Sequence, residues 1–224
     1  MDYLKIILCF IIALCILAIW FGLLSVISTI LKKSKKPLLL HFTTILASIP
    51  IICVTCFMNG YDFMNIHSFV NIKLYLITLV TAGITALIIS TKENRNYKYG
   101  RELLWWGIDG VFMEIPQRLM MQSFLYGIMK LLKVPRIDIY TIIVTSCIWC
   151  IGIAIQNKMM KQRFGREWFL ETLSSFIFSM GIGYVYQESG LLVISMLGHF
   201  CERLFSNYLI KNKSYNKNTF DKQD

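Results

Sequence analysis

The sequence predicts an all-α fold, a polytopic transmembrane helix bundle of about seven spans, and three observations lead there. The 224 residues are 56% hydrophobic and only 16% charged, where soluble domains carry roughly 25% charged residues. Apolar runs long enough to cross a hydrocarbon core recur along the whole chain. The basic residues that give a net charge of +10 fall in short clusters between those runs, which is how orientation signals are distributed, and no nucleic-acid partner is expected. The seven cysteines all lie within apolar runs, so no disulfide framework is expected. Cys53 with Cys56 and Cys147 with Cys150 form CxxC pairs. Small apolar cysteines packed in helices account for them, and a four-thiolate metal site is not expected.

Tyr3 to Leu31 is too long for a signal-peptide core and lacks a basic start with a small-residue cleavage site, so it reads as the first span. A second span is expected from about Leu38 to Phe57 with Pro50 as a kink, and a third from about Ile66 to Ile89 with Lys73 inside it. Leu103 to Lys133 is longer than one span requires. Trp105 and Trp106 suit the interface, and Gly107 and Gly110 are expected to let a surface segment turn into the fourth span. Pro116 removes a backbone hydrogen bond there, which is expected to free the carbonyl of Phe112. The remaining spans are expected at Ile139 to Gln156, Trp168 to Tyr186 and Leu191 to Ile210. Residues 1–210 form a single transmembrane domain in this reading, and 211–224 a polar, disordered tail. Loops 32–36, 92–101 and 158–166 and the tail hold four Lys or Arg each, against Lys5, Lys130, Lys133 and Arg136 on the opposite side. The positive-inside rule then puts the C-terminus in the cytoplasm.

Chemistry concentrates where charge enters the apolar runs. Glu114 and Arg118 stand four apart and share a helix face. His199, Glu202 and Arg203 make a second polar face on the last span. Ionisable groups inside a membrane face the bundle interior or a water-filled cavity, so the two faces are expected to meet. A carboxylate and an imidazole together can activate water. They can also simply lock helices together, or bind a metal; no metal is assigned, and one held by Glu114 and His199 stays open. His41 and His67 read as interfacial. No HExxH, GxSxG or Walker A motif is present.

Three segments carry a resemblance. Gly183-Tyr-Val-Tyr-Gln-Glu-Ser-Gly-Leu-Leu-Val-Ile-Ser-Met-Leu-Gly-His199, Glu114-Ile-Pro-Gln-Arg118 and Ser146-Cys-Ile-Trp149-Cys-Ile-Gly-Ile153 resemble, in order, motifs of the CPBP family, also called the CAAX protease or Abi family of intramembrane endopeptidases. The similar core covers about residues 100–210. Where that family has the first glutamate of a Glu-Glu pair this chain has Met113, and Ile153 replaces a histidine. Arg203 stands where the family has asparagine. The resemblance implies peptide-bond hydrolysis within a bacterial plasma membrane, with Glu114 and His199 as catalytic groups and Arg118 in support; Glu202 and Arg203 are expected as further supporting groups from their place beside His199 on the polar face of the last span. Methionine and isoleucine accept no proton, so the expected activity is impaired or lost. The alternative is a non-catalytic binding or regulatory protein of the bacteriocin-immunity or cell-envelope type. A small transporter is the third reading, without a visible inverted repeat. The expected partners are the lipid bilayer and a membrane peptide or partner transmembrane helix.

Overall fold

The computed structural model describes residues 2–33, 37–64, 66–92, 97–162 and 164–220, and every regular element among them is a helix. Helix α1 spans Asp2–Lys33. A 3₁₀ helix, Pro37–Phe42, leads into α2, Thr43–Phe57, and a second, Ile66–Val70, precedes α3, Ile72–Ser90. Helix α4, Gly100–Glu114, continues through a π-helical segment, Ile115–Gln122, into α5, Ser123–Leu131. Helices α6, Ile137–Met159, α7, Arg166–Ser189, and α8, Leu192–Phe220, complete the chain.

Packing in α1 follows from spacing. Cys9, Ala13, Leu17 and Trp20 are buried while Ile7, Ile11, Ile19 and Val26 are exposed, so residues three or four apart form one inward seam and equally apolar residues cover the outside. Tyr184, Val193, Leu197 and Tyr208 are likewise exposed, while Gln122, Ser146, Ser179, Gln187 and Glu202 are buried. An apolar perimeter around a polar interior suits lipid rather than water as the surrounding solvent. Four helical stretches, Tyr3–Lys33, Leu39–Phe57, Ile72–Ser90 and Ile137–Met159, are long and apolar enough to cross a membrane. This composition is compatible with an integral membrane protein.

Polar contacts define the two ends of the bundle. At one end Lys5 Nζ donates to the carbonyl of Lys133 at 3.5 Å, Lys130 pairs with Asp62, and Gln187 Nε2 donates to Asp138 Oδ1 at 3.1 Å. At the other, Lys92 Nζ lies 3.3 Å from Glu171 Oε2. There the backbone N–H of Lys98 donates to Asn207 Oδ1 at 2.7 Å, and Asn207 Nδ2 returns a bond to the Lys98 carbonyl at 3.2 Å.

Several expectations are corrected. Gly107 and Gly110 lie inside a continuous helix rather than at a turn, because their role is close approach. A Cβ on Gly107 would lie 2.6 Å from Phe200 Cε2, and one on Gly110 would lie 2.8 Å from His199 Cδ2. The carbonyl of Phe112 is not free, since the N–H of Ile115 takes it where Pro116 offers none. Lys73 sits exposed in the first turn of α3, where the Asn71 side chain accepts from its N–H at 3.2 Å. Helix α8 runs to Phe220 instead of ending at Ile210, there being no Gly or Pro after Gly198 to stop it. The side chain of His67 and residues 221–224 lie outside the described part of the chain.

Candidate functional site

The site begins with the π-helical segment. Pro116 at its start breaks the α pattern, and hydrogen bonds shift to the wider i→i+5 turn over Ile115–Gln122. A wider turn carries residues four apart nearly above one another, so Glu114, Arg118 and Gln122 stack along one line. All three are fully buried. Arg118 Nε donates to Glu114 Oε2 at 3.2 Å, Nη1 to Gln122 Oε1 at 2.9 Å and Nη2 to Ser179 Oγ at 3.3 Å. Gln122 Nε2 then donates to the carbonyl of Gly183 at 2.9 Å and to Gln187 Oε1 at 3.0 Å. A Cβ at position 183 would stand 3.0 Å from Arg118 Nη1. The bare backbone of glycine is what lets α7 come this close to the guanidinium.

Helix α8 supplies the other side. His199 Nδ1 lies 2.7 Å from Glu114 Oε1, and Arg203 Nη2 lies 3.5 Å from His199 Nε2. Arg203 can only donate, so Nε2 is the acceptor and Nδ1 carries the proton given to Glu114. Phe178 packs its ring 4.8 Å from the imidazole, and Arg203 lies over the Trp106 ring at 4.8 Å. Glu202 accepts from Ser206 at 2.7 Å and faces Arg203 Nε at 3.5 Å. The expected meeting of the two charged faces is therefore a set of direct contacts. From Asp138 to Ser206 the polar groups form one linked chain through the bundle.

Beside this chain lies a partly open cavity of about 350 Å³, within the range of small-ligand pockets. Met113, Ile153, His199, Glu202 and Arg203 all line it. Glu114 and Arg118 do not; they sit behind His199, fully buried. Both oxygens of Glu114 are occupied by donors, and so is the free lone pair of His199. What the arrangement does chemically in this state is hold opposite charges together in a low-dielectric interior.

Among the described residues no group of three or more His, Cys, Asp or Glu side chains is placed to hold a metal ion, and Cys53, Cys56, Cys147 and Cys150 are all free. Sequence reasoning missed Gln122, Ser179, Gln187 and Asp138 as members of the linked chain. Gln122 had a readable signal, being four residues beyond Arg118. The other three, Ser179 and Gln187 on α7 and Asp138 on α6, carry no mark in the sequence. His41 does lie near a helix end, but it is engaged: its Nδ1 is 2.6 Å from Asp109 Oδ1 and its ring stacks on Trp105 at 4.6 Å.

An all-helical bundle with an apolar perimeter, a buried ion-pair chain and a partly open cavity beside it is the class that the fold and site define. The chain matches no protein-family model, no curated protein and no solved structure.

Proposed function

We propose that this chain is a seven-span membrane protein on a CPBP-type scaffold, with its C-terminus in the cytoplasm of a bacterial cell, that binds a short segment of a membrane peptide or partner helix in its cavity. Hydrolysis is impaired or lost, and the role is regulatory, of the bacteriocin-immunity or cell-envelope kind. The observation that carries this reading is that Glu114 and His199 spend their acceptor atoms on Arg118, Arg203 and each other, while Met113 and Ile153 turn apolar side chains to the cavity. Water activation needs a free base within reach of the water. The passage of Gly100–Leu131 as one unbroken helical stretch supports counting seven spans with the four apolar ones.

Purified full-length protein is assayed against a library of transmembrane peptides, beside His199→Ala and the double variant Met113→Glu with Ile153→His. The proposal expects no cleavage by the parent chain and a gain in the double variant. Cleavage by the parent that His199→Ala abolishes, with folding intact, favours the second reading, residual peptidase activity, which is supported by the imidazole's place on the cavity wall. Topology is checked by cysteine labelling at Asp62 and Lys161, expected on opposite sides of the membrane.

A further inference from the structure

A second opening lies away from the cavity, where the end of α6 meets the start of α7. Ile151, Ala154 and Ile155 recur at helical spacing on one face of α6 and, with Trp168 of α7, line a crevice of about 450 Å³. Lys158 continues the same face, and Lys161 follows it on the crevice wall. The lining therefore runs from apolar to basic over the roughly 10 Å of helix between residues 151 and 158. Backbone geometry fixes the basic end. Helix α6 closes in a left-handed turn at Lys161, φ 56°, where the N–H of Lys161 donates to the Lys158 carbonyl and that of Gln162 to the Asn157 carbonyl, both at 3.0 Å. Glycine suits such a turn best, so a lysine is carried there at some cost to the fold.

The carboxylates at this end are engaged elsewhere: Glu171 and Glu167 face Lys92 Nζ at 3.3 Å and 3.9 Å. Among the described residues neither Lys158 nor Lys161 has an ion pair or a side-chain hydrogen bond. Beside them Phe164 is 84% exposed, its ring 4.7 Å from that of Trp168. Exposed aromatic rings next to lysines suit the headgroup level of a bilayer.

We propose that this crevice binds one anionic phospholipid, its phosphate between Lys158 and Lys161 and an acyl chain along Ile151, Ala154 and Ile155. A crevice that is apolar along the helix and cationic at its end matches a lipid in both parts. A phosphocholine headgroup carries its own ammonium beside the phosphate, which removes the net charge that the two lysines attract. The inference rests on the chain lying in a membrane, and not on what the cavity takes.

The test is native mass spectrometry of the purified full chain in maltoside, with dioleoylphosphatidylglycerol and dioleoylphosphatidylcholine competing at equal concentration. Each lysine beside an anionic lipid contributes about fivefold, so the first adduct is expected to favour phosphatidylglycerol by about twentyfold. Lys158→Gln and Lys161→Gly should each cut that preference about fivefold, and together abolish it. Lys161→Gly should do so while its unfolding midpoint equals or exceeds the parent's, since glycine fits the left-handed turn. Lys32→Gln with Lys33→Gln, an equal loss of charge at the end of α1, should leave the preference intact. A preference that survives the 158 and 161 changes, or that falls as far in the 32 and 33 control, overturns the site. Displacement of the lipid by glycerol 3-phosphate, which has the phosphate without the chains, would assign a soluble phosphate ester and overturn the lipid. A chain that stays monodisperse without detergent would overturn the membrane reading itself, before any lipid is added.

Discussion

Glu114 and His199 share one hydrogen bond of 2.7 Å, yet they belong to two different regions. On the Glu114 side, Arg118, Gln122 and Ser179 close the interior completely, and every polar atom of the ion pair has a partner. On the His199 side the wall opens into a cavity of about 350 Å³ lined by Met113, Ile153, His199, Glu202 and Arg203. One region resembles a finished core and the other a site awaiting an occupant. The difference teaches that charge inside a membrane bundle need not mark the reacting surface. Here the Glu114–Arg118 pair fixes the helices from behind, and His199, Glu202 and Arg203 face the open volume.

That contrast can be broken by substitution, and the largest effect is expected in the closed region. Arg118→Met leaves Glu114 buried with only His199 as a donor, and breaking a buried pair from one side costs about 3–5 kcal/mol. The variant should be recovered in low yield, with a markedly lower midpoint of thermal unfolding. Gly183→Leu comes next, because its Cβ would meet Arg118 Nη1 at 3.0 Å and Gln122 Oε1 at 3.3 Å. Overpacking of this kind costs about 1–3 kcal/mol, measured as the shift in the same midpoint. In the open region Trp149→Phe should leave the midpoint unchanged or slightly raised, since it removes an N–H that has no partner. The smallest effect is expected for Lys130→Ala, whose ion pair with Asp62 is half-exposed, with no measurable change in unfolding.

Much of the first region was legible in the sequence. A Glu and an Arg four apart, with proline between them inside an apolar run, announce a buried pair with local backbone irregularity, and Gln122 continues the same spacing. The four helices with the purest apolar runs were equally plain. Helices α7 and α8 are harder to read as spans from hydropathy because their inner faces hold Ser179, Gln187, His199, Glu202 and Ser206, all buried. The glycines at 107 and 110 were misread because a sequence cannot distinguish a hinge from a contact. Both positions merely lack a side chain, and only the neighbouring Phe200 and His199 show which use was made of that. The cavity was not legible at all, because Thr44, Gln117, Trp149 and Ser175, which line it, come from four different segments that meet only in three dimensions.

The most direct test of the claim that Glu114 serves the fold is a double-mutant cycle at the closed pair, with Glu114→Gln and Arg118→Met made singly and together and thermal unfolding followed in one detergent. Each single change strands a partner inside the bundle, whereas the double change removes both charges and leaves an amide oxygen at position 114 able to accept from His199. The two changes together are therefore expected to lower stability by clearly less than the sum of the singles, with a coupling of about 1–3 kcal/mol, within the range found for residues in contact. Additive losses, or a Glu114→Gln variant as stable as the parent, would contradict a structural ion pair and return Glu114 to the role of a poised catalytic base.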